Sequence, residues 1–149
     1  MERIASFEID HTTLKKGVYV SRQDTFGVSC ITTFDLRMKT PYSDTPLEPA
    51  TAHTLEHCLA TCLRNHRDDI IYVGPMGCMT GFYVVVMGKK GVENILPSLL
   101  DAFEWVTRAD AVPGASKKEC GNYTFMDFPD AKREAGLYLK VLNNLCANL

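Results

Sequence analysis

The sequence predicts an α+β fold, a single domain over residues 1–149 in which a mostly antiparallel β-sheet is covered by helices, one of them bearing a metal site. Three observations lead there. With 149 residues, 46% of them hydrophobic and 23% charged, the chain has the size of one ordinary domain with a substantial core. Short runs of period-two hydrophobicity and longer runs of helical period occur in the same chain, with no internal repeat, low-complexity segment or linker between them. The segment His53-Thr54-Leu55-Glu56-His57 puts two imidazoles one helical turn apart with a carboxylate between them.

The elements follow in order. Residues 18–20 and 28–38 read as strands, the second alternating Val28, Cys30, Thr32, Phe34, Leu36 and Met38 on one face with Ile31, Thr33, Asp35 and Arg37 on the other. Arg37 therefore points away from the Phe34 face. Residues 41–49, rich in Pro, Asp and Thr, form a loop, and Pro49 or Thr51 starts a helix running to about Arg67. Residues 70–73 and 82–87 are further strands flanking the glycine-rich segment around Cys78. Residues 92–107 are helical in pattern through Ile95, Leu96, Leu99, Phe103 and Val106, with Pro97 implying a late start or a kink. Pro113-Gly114 opens a loop carrying Cys120, and Tyr138, Val141, Leu142 and Leu145 mark a C-terminal helix.

On the helix that begins near Pro49, at about 100° per residue, Leu55, Leu59, Cys62 and Leu63 share one stripe while His53, Glu56, His57 and Ala60 share another roughly 140° away. A merely solvated face would hold Lys, Gln, Glu or Arg, and only Arg64 continues this one. Cβ atoms at i and i+4 lie about 5–6 Å apart, close enough for one ion to bridge. H-x-x-E-H is the inverted form of the H-E-x-x-H zinc motif, and both leave a Glu beside the metal to move protons. A metalloenzyme is the first expectation, conditional on a third ligand.

Composition removes other classes. The net charge of −2 and a scatter of Lys and Arg give no basic field for a phosphate backbone, so nucleic acid is not an expected partner. The N-terminal residues show no signal-like apolar run and no stretch approaches membrane-spanning length, so a cytoplasmic protein without membrane attachment is expected. Six cysteines without a C-x-x-C pair should then stay reduced. Cys30, Cys58, Cys62 and Cys146 read as small hydrophobes. Cys78 and Cys120 differ, because each lies among turn residues beside glycine, where the sulfur is accessible.

These motifs, together with Pro75-Met76-Gly77-Cys78-Met79-Thr80-Gly81-Phe82-Tyr83, Cys120-Gly121, Phe34-Asp35-Leu36-Arg37 and the segment from Ser6 to His11, closely resemble the S-ribosylhomocysteine lyase (LuxS) family of bacterial quorum sensing. The resemblance spans the chain from Ser6 to the C-terminal helix, with five separated motifs in order. It implies a small α+β homodimer with one divalent metal per subunit, ferrous iron in the working enzyme and zinc or cobalt compatible with purified protein, held by His53, His57 and Cys120. It implies Cys78 as the acid–base residue of the carbonyl shifts, Glu56 as the proton carrier of the later shift and the elimination, and Ser6, His11 and Arg37 as substrate contacts.

The implied reaction releases homocysteine from S-ribosylhomocysteine and leaves 4,5-dihydroxy-2,3-pentanedione, the precursor of the autoinducer. A thioether leaves readily only when a carbonyl stands one carbon removed from its own, so the sugar carbonyl must first migrate from C1 to C3. That migration needs repeated proton transfers, which a Lewis-acid metal assists by polarising the oxygens and a thiolate of lowered pKa performs. The chain departs from the family in carrying Met79 where Gln is usual, which removes two donors and an acceptor and predicts local repacking. Cys58 and Cys62 are also unusual for the family and offer extra thiols for oxidation or misplaced metal. Two rival readings share the motif: an inverted-motif metallopeptidase, which takes a downstream Glu as third ligand, and a non-catalytic metal module, whose site would be closed by a fourth protein ligand.

Overall fold

Gly27, at φ 60°, turns the chain between the first two strands, a left-handed conformation that glycine adopts without steric cost. The computed structural model describes Ile4 and residues 7–148 and contains β1 (Gly17–Phe26), β2 (Ser29–Arg37), α1 (Pro49–His66), β3 (Ile70–Pro75), β4 (Gly81–Met87), α2 (Val92–Arg108) and α3 (Phe128–Cys146). The four strands form one sheet in the order β1-β2-β4-β3, and every neighbouring pair is antiparallel. The expected α+β architecture is present, with three helices over one face.

Register explains the two faces. Val18 pairs Leu36 and Leu36 pairs Phe82, while Val20 pairs Phe34 and Phe34 pairs Val84, so these side chains form one apolar layer. Phe34, Leu36, Phe82, Val84 and Val86 are fully buried there against Leu55, Leu59 and Leu63 of α1, Ile95, Leu99 and Phe103 of α2, and Tyr138 and Leu142 of α3. Tyr138 also donates its hydroxyl to the Gly17 carbonyl at 2.7 Å, tying α3 to the start of β1. The other face carries Tyr19, Asp35 and Tyr83 in one cross-strand row and Ile31 and Met87 in another.

Several boundaries differ from the sequence reading, each for a local reason. β1 runs on through polar Ser21 to Phe26, paired with β2, where only residues 18–20 had the apolar signal. Val28 stands fully exposed at the turn, so β2 starts at Ser29. Pro97 neither delays nor ends α2: the helix begins at Val92 behind Gly91, whose N–H donates to the Asn94 side chain at 2.8 Å. α3 starts at Phe128, earlier than its Tyr138–Leu145 signal, because the Asp127 side chain caps it by accepting from the Asp130 N–H and because its first turns bury only Ala131, Glu134 and Ala135. Glu134 is buried in an ion pair with Lys39, Nζ to Oε1 2.7 Å. Cys146 is exposed and Cys30 half-buried, so only Cys58 and Cys62 behave as core residues. Among the described residues, no helix is long and apolar enough to cross a membrane.

Candidate active site

Pro49 opens α1 and its buried face, Thr51, Ala52, Leu55, Cys58, Leu59, Cys62 and Leu63, is anchored in the core, which leaves His53, Glu56 and His57 half-buried on the other side. The ring centroids of His53 and His57 lie 4.9 Å apart, nearly perpendicular at 78°. Cys120 reaches them from the connection between α2 and α3. That connection is pinned to α1 at its end, where the Asp127 N–H donates to Thr54 Oγ1 at 2.9 Å and the Thr51 hydroxyl to Asp130 Oδ2 at 2.7 Å. Within it the Cys120 N–H donates to the Ser116 carbonyl at 3.0 Å, forming the turn that presents the sulfur.

The donor atoms of His53, His57 and Cys120 all lie within 4.8 Å of one another. The tautomer of each neutral ring is set by its partner. His53 Nδ1 is 2.7 Å from the Phe125 carbonyl and His57 Nδ1 is 2.8 Å from the Pro113 carbonyl. A carbonyl only accepts, so each Nδ1 carries the proton and each Nε2 is left with its lone pair free to ligate, the arrangement typical of metal-bound histidine. Cys120 Sγ lies 3.4 Å from His53 Nε2 and accepts the Asn122 N–H at 3.4 Å. Two imidazoles and a soft sulfur suit iron, cobalt or zinc, so the residues fit the expected metal. Gly114 supports this geometry: at φ +66° it passes so close to His57 that an added Cβ would lie 3.2 Å from Nδ1. Glu56 and His57 border a cavity of about 330 Å³ completed by Ala60, Thr61, Pro113, Gly114 and Glu119.

A second cluster lies at the end of the sheet. β3 and β4 are joined by a tight loop in which the Met79 N–H donates to the Met76 carbonyl at 2.9 Å and Met79 takes φ 56°. Cys78 sits exposed on that loop. Gly81 pairs Arg37 and packs against the Leu36 carbonyl with no room for a side chain, and Gly17 pairs Arg37 on its other side. Two glycine neighbours leave space for the Arg37 guanidinium, which is 2% exposed. Its Nε donates to Asp35 Oδ1 at 3.1 Å, its Nη2 to Asp35 Oδ2, and its Nη1 to Thr80 Oγ1 at 2.6 Å, with Cys78 Sγ 4.0 Å from Nη1. Burial works against ionisation of Cys78, but hydrogen bonds from Thr80 and the charge of Arg37 outweigh it and hold the thiol below its ordinary range. His11 donates Nδ1–H to the Ile9 carbonyl at 2.8 Å and lines, with Pro41, Tyr42, Asp44, Pro46, Cys78 and Thr80, a cavity of about 280 Å³.

The sequence-derived candidates thus fall into two groups: His53, His57 and Cys120 with Glu56 beside them, and Cys78 with Arg37 and His11. Ser6 lies outside the described residues. Met79 is partly buried and packs against the core. Cys58 and Cys62 are buried on the core face of α1, away from the ligand atoms, and burial pushes the Cys58 thiol up to about 11. Residues missed in sequence are Asp35 and Thr80, whose signal was their place inside the two quoted motifs, and the carbonyls of Pro113 and Phe125, which have no sequence signal.

A family model described as S-ribosylhomocysteinase (LuxS) matches residues 4–147. Similar curated proteins include the S-ribosylhomocysteine lyase of Desulfotalea psychrophila, 51% identical over 97% of this chain and 94% of its own length. That of Clostridium beijerinckii is 45% identical over 100% of this chain and 94% of its own, and that of Borreliella afzelii 45% identical over 97% and 95%.

Proposed function

This chain belongs to the S-ribosylhomocysteinase (LuxS) family, and we propose that it is a carbon–sulfur lyase that releases homocysteine from S-ribosylhomocysteine and leaves 4,5-dihydroxy-2,3-pentanedione. The observation that carries the reading is the pairing of a three-donor group whose two Nε2 atoms are free to ligate with an accessible thiol held below its ordinary range. His53, His57 and Cys120 would hold one divalent ion per subunit, ferrous iron in this reading. When bound, that ion supplies Lewis-acid polarisation to the oxygen of the migrating carbonyl.

The protein's own side chains move the protons. Cys78 Sγ, as thiolate, takes the proton from the carbon beside the carbonyl and returns it to the former carbonyl carbon while the hydroxyl proton passes from the adjacent oxygen to the former carbonyl oxygen, and two such cycles carry the carbonyl from C1 through C2 to C3. With the ketone at C3 the C4 proton becomes acidic. Glu56 takes it, the C4–C5 double bond forms, and the C5–S bond breaks with its electron pair going to sulfur. The homocysteine thiolate is then protonated and the enol relaxes to the diketone. No electron leaves the substrate, so no redox partner is consumed. Substrate contacts are assigned to Ser6, His11 and Arg37; His11 lines the Cys78 cavity, and Arg37 Nη1 lies 4.0 Å from the Cys78 sulfur.

The assembly belongs to the same reading: a homodimer with the substrate pocket at or near the interface. The sheet face without helices supports it, since Tyr19, Tyr72 and Met87 are exposed there at 37%, 49% and 51%, beside half-buried Ile31, Tyr83 and Val85. The experiment that tests the division of labour follows carbon-13-labelled substrate by NMR. Glu56→Gln is expected to keep the ion and accumulate a ketone without releasing homocysteine. Cys78→Ala is expected to keep the ion and to lose at least about 10²–10⁴-fold in rate, with no ketone formed. Homocysteine release by Cys78→Ala at the parental rate would refute the assignment.

A further inference from the structure

Among the described residues, Thr80 is the one side chain within hydrogen-bonding reach of the Cys78 sulfur that the scheme above leaves without a role. It is 7% exposed, and its Oγ1 lies 3.0 Å from Cys78 Sγ and 2.6 Å from Arg37 Nη1. A guanidinium has only donors, so the Thr80 oxygen accepts from Arg37 and its single O–H is left for the sulfur. A thiolate only accepts, so the ionised form of Cys78 completes this chain of bonds. The direct contact from Arg37 Nη1, at 4.0 Å, is longer than the one through the hydroxyl.

The hydroxyl is held in place from both ends. The Thr80 carbonyl accepts the N–H of Met38 at 3.0 Å and of Lys39 at 2.9 Å, which binds this residue to the strand end that carries Arg37. Asp35 grips the other edge of the guanidinium through Nε and Nη2. We propose that Thr80 is a positioning residue of the reaction: it transmits the buried Asp35–Arg37 pair to Cys78 and keeps the sulfur ionised and aimed into the adjoining cavity. This rests on the reading of Cys78 as the acid–base residue. The other titratable groups around the sulfur are Tyr83 on β4, whose phenol is pushed up by burial, and His11 and Asp44 of the cavity wall; Asp44 is held ionised by the Thr40 N–H and by Lys16. Asp44 opposes a thiolate, so the stabilisation of the sulfur comes from the Arg37–Thr80 side.

The test is carboxamidomethylation of the full-length, metal-loaded protein across a range of pH, with Cys78 followed by peptide mass spectrometry and buried Cys58 as the slow internal reference. Thr80→Val is expected to slow Cys78 alkylation at neutral pH by about tenfold or more, one pKa unit being a factor of ten in thiolate, and to move the midpoint of the pH profile upward. Thr80→Ser, which keeps the hydroxyl, should react within about twofold of the parent. In turnover, Thr80→Val should lower kcat with KM nearly unchanged and metal content unaltered. If the buried valine prevents folding, Thr80→Ala makes the same test. Parental alkylation rate and midpoint in the hydroxyl-free variant, or a Thr80→Ser as slow as it, overturns the proposal. A failure of Thr80 alone leaves Cys78→Ala inactive, whereas homocysteine release by Cys78→Ala at the parental rate overturns the reading of Cys78 itself.

Discussion

Gly114 contacts no substrate in this account, yet its replacement should weaken the metal site. Two separate costs follow from its place against His57. At φ +66° an alanine would occupy the left-handed region, at about 1–2 kcal/mol for an L-residue. Its Cβ would also lie 3.2 Å from His57 Nδ1 and 3.6 Å from Cε1, so the ring must move by a few tenths of an ångström, off the line of its 2.8 Å bond to the Pro113 carbonyl. Disturbing such a carbonyl partner typically costs about 10–100-fold in metal affinity, equivalent to about 1.4–2.7 kcal/mol. Gly114→Ala should therefore fold with a lowered urea midpoint and raise the Kd for zinc or cobalt by that factor, measured by competition with a chromophoric chelator. Gly114→Asn separates the two costs, because asparagine tolerates left-handed backbone but carries the same Cβ. It should show the affinity loss with a smaller loss of stability. If both variants bind metal with the parental Kd, the support of His57 by the Pro113-Gly114 turn is wrong.

His57→Ala and Cys120→Ala should each lose metal and activity together while keeping the fold, since neither side chain lies in the apolar layer; stoichiometric metal by elemental analysis in either variant would contradict the ligand set. Tyr72→Asp or Val85→Lys, placed on the helix-free sheet face, should shift the protein from dimer to monomer in sedimentation and reduce turnover with it, and a monomeric variant with full activity would remove the interface from the site. Stability should fall on acidification. The Asp69 carboxyl is held below its ordinary value of 3.8, chiefly by Arg67, and that of Asp130 below the same value, chiefly by the Thr51 hydroxyl. Carboxyls depressed in the folded state contribute stability that is complete above the unfolded value and lost as pH falls through the folded one. Urea midpoints at neutral pH and near pH 3 should show a drop that Asp69→Asn or Asp130→Asn makes smaller.

The two histidines of the candidate metal-binding group were legible because helical spacing is a strict constraint: His53 and His57 at i and i+4 must share a face, and the core stripe of Leu55, Leu59 and Leu63 decides which face. The third donor was not legible from spacing, since Cys120 arrives on an irregular connection whose course is set by backbone bonds to α1 that leave no residue pattern. Strand alternation placed Arg37 on the face opposite Phe34, as found, but could not say that the residue would be buried. That depends on glycines 17 and 81 falling opposite it, which is a matter of register. The early turns of α3 escaped because Ala131, Glu134 and Ala135 bury a face with almost no hydrophobic signal, and Glu134 enters the interior only with Lys39 as its counter-charge. The role of Thr80 was hidden for the same kind of reason: a threonine two residues from a cysteine gains meaning only when β2 brings an arginine to its oxygen.

Release of free homocysteine is the most direct measure of the central claim. Protein purified anaerobically and loaded with ferrous iron, given S-ribosylhomocysteine, should produce homocysteine thiol in proportion to substrate consumed, with an equal amount of the pentanedione trapped as a diamine adduct and with no added oxidant or reductant. The Cys78→Ala protein, folded and carrying the same metal, should produce neither above background. Folded, metal-loaded protein of the parental sequence that leaves S-ribosylhomocysteine intact, or opens its sugar without freeing the thiol, would contradict the account.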